Sequence, residues 1–243
     1  MIMLPRSKLD YVKQLSRNGW NKCYGDRWTD NMHSEIVETV KRFAYADGNN
    51  HPTVLEIGTG SGSDIIHLYE TMGMEVCGLD YAPNALRLIH ERSPDMQLCE
   101  ADARHLPFPD ESFDIVFSQG LVEHYLDDKL DQLMREQIRV AERYVIIDVP
   151  NFWALYYTLK KHLLIAFDHG WDFGWETEYT EHELEQLGSR YGLTPICSYS
   201  WGYDGLTRRI NKLLHFFRLG LEILEEDYGK YFQMSIGVVF QKS

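Results

Sequence analysis

Glycines at alternate positions, Gly58, Gly60 and Gly62, follow directly on the apolar run Val54-Leu55-Glu56-Ile57. A helical pattern begins at once with Ile65, Ile66 and Leu68. The combination predicts a buried strand turning sharply into a helix, the point at which an α/β sheet meets its ligand. Glycine is needed there because the turn uses backbone angles that other residues avoid, and because side chains would hold a ligand away. Free loop N–H groups and the helix N-terminus would favour a carboxylate. A dinucleotide fingerprint requires a glycine at position 63, where this chain has Ser63, and that counts against an NAD-dependent oxidoreductase.

The pattern continues along the chain. Met74–Asp80 reads as a second strand ending in an acid, and Met96–Ala103 as a third with Asp102 just past it. Phe113–Ser118 is a fourth strand, leading into Gln119-Gly120-Leu121-Val122-Glu123-His124-Tyr125. After a helix over Asp128–Ala141, Arg143–Val149 forms a fifth strand that Pro150-Asn151 ends. Thr194–Tyr199 and Gln233–Gln241 supply the last two, the final one antiparallel. Strands alternating with helices imply an α/β, doubly wound, seven-stranded sheet, mostly parallel, with helices on both faces.

Composition narrows the function classes. A 44% hydrophobic share suffices for a sizeable core in 243 residues, and a formal charge of −13 repels phosphate backbones, so no nucleic acid is expected as substrate. The four cysteines, Cys23, Cys77, Cys99 and Cys197, form no C-x-x-C pair, and neither a metal site nor a disulfide framework is expected. With no signal peptide and no run of about 18 apolar residues, stable membrane insertion is not expected and a cytoplasmic location is.

Residues 53–64 resemble motif I of the class I S-adenosylmethionine (SAM)-dependent methyltransferases, a strand followed by E/D-x-G-x-G-x-G, with Glu56 in the acidic slot. The run Glu100-Ala101-Asp102-Ala103 through Leu106-Pro107-Phe108-Pro109-Asp110-Glu111-Ser112-Phe113-Asp114 is similar to the family's "G-D-A-x-x-L-P-F-P-D-x-S-F-D" and is more specific than the glycines. The resemblance, to small-molecule members of the methyltransferase-11 type, covers residues 53–149 well and implies SAM as cofactor, with S-adenosylhomocysteine (SAH) as product. Glu56, Gly58, Thr59, Gly60, Ser61 and Gly62 would then form the loop beneath the cofactor. Asp80 would take the ribose hydroxyls, with Tyr81 beside it, while Asp102 and the Ala103 backbone address the adenine. Gln119 and Gly120 would line the pocket beneath the methyl group. His124, matching the family's "V-L-E-H", is the candidate general base, because its ordinary pKa lies near neutrality; relatives also use this histidine to shape the pocket. Some quinone-pathway relatives bind a metal through an acid four positions before it, where this chain has Gly120.

The flanks resemble the family loosely. Residues 1–50 are expected to be a helical lid over a SAM-binding domain of residues 51–243, which carries insertions at about 150–180 and 201–230. Leu9, Val12 and Leu15 mark one helical stripe and Ile36, Val37, Val40 and Phe43 another. Between them, Gly19–Trp28 is aromatic and without period; Tyr24, Arg27 and Trp28 are the substrate-facing candidates. Trp153, Trp171 and Trp175, with His124, are the candidates on the far side, since aromatic rings suit apolar or cationic acceptors. A cap or a homodimer face are the readings for the amphipathic stretch near Leu206–Leu224. The function expected is methyl transfer to an O, N or C nucleophile of a small molecule, mainly by proximity. The alternative is a SAM-binding scaffold or partner subunit that performs no transfer.

Overall fold

The computed structural model describes residues 17–24, 32–166, 176–202 and 233–243. Its elements are α1 (Arg17–Tyr24), α2 (Ser34–Ala44), β1 (Thr53–Ile57), α3 (Ser63–Met72), β2 (Glu75–Asp80), α4 (Pro83–Arg92), β3 (Gln97–Glu100) and β4 (Phe113–Gln119). After a short 3-10 turn at Val122–His124 come α5 (Asp127–Val140), β5 (Ala141–Pro150), α6 (Leu155–Ala166), α7 (Glu181–Arg190), β6 (Thr194–Trp201) and β7 (Ser235–Gln241). The seven strands form one sheet in the order β3-β2-β1-β4-β5-β7-β6. Six run parallel, and β7 is antiparallel to both neighbours.

Alternation along the strands places a core on each face of this sheet. Leu55, Ile57, Val116, Val145, Ile147 and Phe240 pack with Leu133 and Met134 of α5 and Leu184 and Leu187 of α7. Val54, Ile115, Phe117, Ile146 and Val239 face the other way, against Ile36, Val37 and Val40 of α2, Ile65 and Leu68 of α3 and Ile89 of α4. The central strands are buried on both sides, which explains their near-continuous apolar runs. Local chemistry sets several boundaries. Pro83 opens α4 at its first position, and Thr180 and Glu183 form a complete capping box before α7.

The topology fixes where a ligand can bind. From β1 the chain steps outward to β2 and β3, then returns so that β4 lies on the opposite side of β1. The crevice outside the carboxyl ends of β1 and β4 is therefore the topological switch point. Among the described residues, no helix is long and apolar enough to cross a membrane.

One difference from the sequence reading concerns the periphery. The aperiodic segment after Gly19 is helical as far as Tyr24, inside α1. The stripe at Leu9–Leu15 and the stretch near Leu206–Leu224 lie outside the described residues.

In β7, Gly237 sits under the Tyr199 ring of β6, and a Cβ built there would overlap that ring. Gly237→Ala is expected to lower the free energy of unfolding by about 1–3 kcal/mol through overpacking, read by urea denaturation.

Candidate functional site

The glycine turn is tied to the strand beside it. The N–H groups of Gly58 and Thr59 both donate to the Leu79 carbonyl, at 2.8 and 3.0 Å. Gly60 N–H donates to Asp80 Oδ2 at 2.8 Å, and Ala82 N–H to Asp80 Oδ1 at 2.7 Å. Gly62 N–H closes the turn on Thr59 O at 2.8 Å. These four loop amides are committed within the protein, rather than free for a carboxylate as the sequence suggested. Gly62 has φ +74°, and a Cβ there would lie 2.5 Å from Ile89 Cγ1, so no other residue fits.

Asp80 is buried, and desolvation raises its carboxyl pKa against the pull of its backbone donors. It lies on the wall of a cavity of about 270 Å³, together with Gly58, Leu79, Tyr81, Ala101, Asp102, Ala103, Arg104, Gly120, Leu121, His124, Tyr125, Lys129 and Trp20. Of the residues singled out in the sequence, this wall brings together Gly58, Asp80, Tyr81, Asp102, Ala103, Gly120 and His124. Glu56, Thr59, Gly60, Ser61, Gly62 and Gln119 do not line it. Buried Glu56 accepts the Thr59 hydroxyl at 2.7 Å and braces the turn from inside, its pKa pushed well up by burial and then by Asp64.

Asp102 is held by Arg104. The Arg104 Nε and backbone N–H reach Oδ1, both at 3.0 Å, and Nη2 reaches Oδ2. This two-pronged bond keeps the Asp102 carboxyl below its usual range. The sequence reading missed Arg104, although an arginine two positions after an aspartate at a strand end can fold back in this way.

It also missed Trp20. Helix α1 lies across the turn after β2: Arg17 Nε donates to Tyr81 O at 3.0 Å, and its guanidinium stands 5.6 Å from the centre of the Tyr81 ring. Asn21 Oδ1 accepts Asn84 N–H at 2.8 Å, and Asn84 Nδ2 donates to Asn21 O at 2.9 Å. So anchored, α1 holds the Trp20 ring edge-on to His124, with centroids 4.9 Å apart. Aromatic content around Trp20 was the available signal; a helical period in so short a segment was not.

Of the other substrate candidates, Trp153 is the one whose side chain is described, and it does not line this cavity. Trp153 is 49% exposed and lines a separate hollow of about 280 Å³ with Asn151, Thr180, His182 and Ile236. Arg27, Trp28, Trp171 and Trp175 lie outside the described residues, as does the side chain of Tyr24.

Residues 54–143 match the family model described as a methyltransferase domain. Over those residues the chain is similar to the class I SAM-dependent methyltransferases. Over 107 residues it is 30% identical to a demethylmenaquinone methyltransferase of Chlorobaculum parvum, covering 44% of each chain. It is 29% identical over 117 residues to a norajmaline N-methyltransferase of Rauvolfia serpentina, covering 44% of this chain and 39% of that one. The chain thus matches less than half the length of these curated relatives. The magnesium protoporphyrin IX methyltransferase of Synechocystis, solved with bound SAH, superposes with a TM-score of 0.62 at 17% identity, covering 98% of this chain and 99% of that one. That likeness is one of fold.

The cavity suits the family's cofactor, SAM. Gly58 and Gly120, with φ +74° and +62°, give it bare backbone on the β1 and β4 sides. A Cβ on Gly58 would stand 3.0 Å from Leu121 Cδ1 and crowd the floor. The acids on the β2 and β3 sides present acceptors for hydroxyl and amino groups.

Beside Gly120, whose N–H donates to its carbonyl at 3.0 Å, Asp148 of β5 is fully buried, accepting the Trp201 indole N–H at 2.8 Å and the Ser235 hydroxyl. Burial raises its carboxyl from 3.8 to about 7 against those bonds. Between these two values the folded chain holds a proton that the unfolded chain releases, so this group's contribution to stability falls as pH rises from about 4 to 7. In Asp148→Asn the amide oxygen can still face Trp201, and the amide nitrogen the Ser235 oxygen. The unfolding free energy of the wild type, measured against this variant, is expected to drop by up to roughly 4 kcal/mol from pH 4 to pH 7 and to level off above.

Proposed function

We propose that the chain transfers a methyl group from SAM to a nucleophilic atom of a small molecule. The observation that carries this reading is that Asp80 and Asp102 face one cavity, at the switch point of a sheet whose residues 54–143 match a methyltransferase domain. When bound, SAM supplies an electrophilic methyl carbon on a sulfonium. The chain's own residues bind and orient. Asp80 keeps acceptor lone pairs beyond those used by Gly60 and Ala82, and these take the ribose hydroxyls. Asp102, on the flanking strand, accepts the adenine amine on the side that Arg104 leaves open, with the Ala103 backbone beside it. Gly58 admits the ligand close to the main chain. Glu56, Thr59, Gly60, Ser61, Gly62 and Gln119 support the site without lining the cavity.

Positioning is the main source of rate acceleration, worth up to ~7–11 kcal/mol when the reacting atoms are held at near-attack distance. Trp20 on α1, within the stretch 1–50 read as a lid, lines the cavity and keeps water from the reacting atoms. His124 takes the proton where the acceptor carries one. The relatives are named for small-molecule acceptors, a quinone precursor and an alkaloid among them. This, with the acidic composition, supports a small metabolite in the cytoplasm over a polymer.

The test pairs binding with turnover. The wild type is expected to bind SAH by calorimetry and to move labelled methyl from SAM into a metabolite extract. Asp80→Asn should weaken SAH binding by roughly 10²-fold, the cost of an impaired buried acceptor. SAH binding without transfer into any extract would favour the scaffold reading; NAD binding without SAH binding would overturn both.

A further inference from the structure

Behind Gly120 lies a buried acid that the preceding account does not use. Glu123 is 1% exposed, and its Oε2 has no hydrogen-bond partner among the described residues. Its Oε1 lies 3.6 Å from where a Cβ on Gly120 would stand, so the carboxyl stands directly behind the stretch of cavity wall that Gly120 forms. The lysine whose charge acts on it is already engaged: Lys161 Nζ reaches Glu178 Oε1 at 2.8 Å and Glu176 Oε2 at 3.4 Å. Burial, and then the charges of Glu176 and Asp148, lift the Glu123 carboxyl well above its usual range, with Lys161 opposing. His124 Nε2 stands 3.9 Å from Oε1 on the same turn, and Tyr157 and Tyr179 are the other titratable groups that act on it among the described residues. An acid in this setting ionises when a new positive charge arrives beside it.

The strand order indicates which charge that is. Asp102, Asp80, Gly58 and Gly120 follow β3, β2, β1 and β4, which are consecutive in the sheet. With strands about 4.8 Å apart, Gly120 lies roughly 14 Å across the sheet from Asp102. Adenine at β3 and ribose at β2, as proposed above, leave the sulfur end of the ligand over β1 and β4. We propose that Glu123 is the anionic partner of the sulfonium, so that the cavity holds charged SAM more tightly than neutral SAH. The inference rests on the methyltransferase reading. SAM and SAH share every other group, so their difference isolates the methyl and its charge. On SAM binding Glu123 loses its proton to solvent; after transfer the sulfur is neutral, the proton returns, and product release is eased.

Calorimetry at pH 7 in phosphate and in Tris, buffers of different ionisation enthalpy, counts the protons exchanged. The probes are SAM, SAH, and sinefungin, which carries an ammonium in place of the methylsulfonium. Wild type is expected to release protons with SAM and sinefungin and none with SAH. In Glu123→Gln the release vanishes, and the ratio of the SAH to the SAM Kd falls about tenfold, the effect of one nearby opposite charge. Equal proton exchange with all three ligands, or an unchanged Kd ratio in the variant, overturns the inference while leaving the cofactor reading intact. Failure of both SAM and SAH to bind overturns the two together. Should the variant not fold, the wild-type proton count decides alone.

Discussion

The carboxylate of Asp80 is the fastening on which the site depends. It receives one amide from the glycine turn after β1 and one from the turn after β2, so two strand ends move as a unit. Helix α1 docks just beyond: Tyr81 O accepts from Arg17, and Asn84 at the start of α4 donates to Asn21. Loss of this carboxylate would release the loop, the β2 turn and the lid together. The loop therefore contributes shape and bare backbone; its amides at Gly58, Thr59 and Gly60 hold it to β2, and that of Gly62 closes the turn on Thr59.

A second layer of buried charge underlies the first. Glu56, Asp80, Glu123 and Asp148 all lie at or near the carboxyl ends of the central strands, and burial raises the pKa of each. His33, just before α2, joins this layer by bonding Asp64 through Nδ1 at 2.8 Å and stacking 4.3 Å from the Trp201 ring. Burial pulls its pKa down, but the Asp64 carboxylate outweighs that and the net shift is upward. Acids held at this edge in a low-dielectric setting respond to a cationic ligand far more than surface acids do.

The sheet was legible in the sequence because its strands are short apolar runs bounded by glycine, proline and acids, and because alternating helices leave few topologies open. Asp80 and Asp102 were legible as site residues because each stands at the end of such a run. Arg104 and Trp20 were not. Arg104 matters only through a side chain folded back on its neighbour, and Trp20 through the docking of a short helix with little periodicity of its own. Trp153 illustrates the opposite error: its ring, read as facing a substrate, is half exposed beside another hollow, because β5 and α6 carry it away from the switch point. Glu123 sits inside a motif that was read for its histidine, and only the clearance beside Gly120 draws attention to it.

The claim that everything else rests on is that one nucleoside spans the carboxyl ends of β3 to β4. A crystal structure of the chain with SAH tests it most directly. The expected result is adenine beside Asp102 and Ala103, with both ribose hydroxyls on Asp80 and the sulfur over Gly120. Density for the ligand elsewhere, or a cavity filled by the chain's own side chains in the complex, would contradict it.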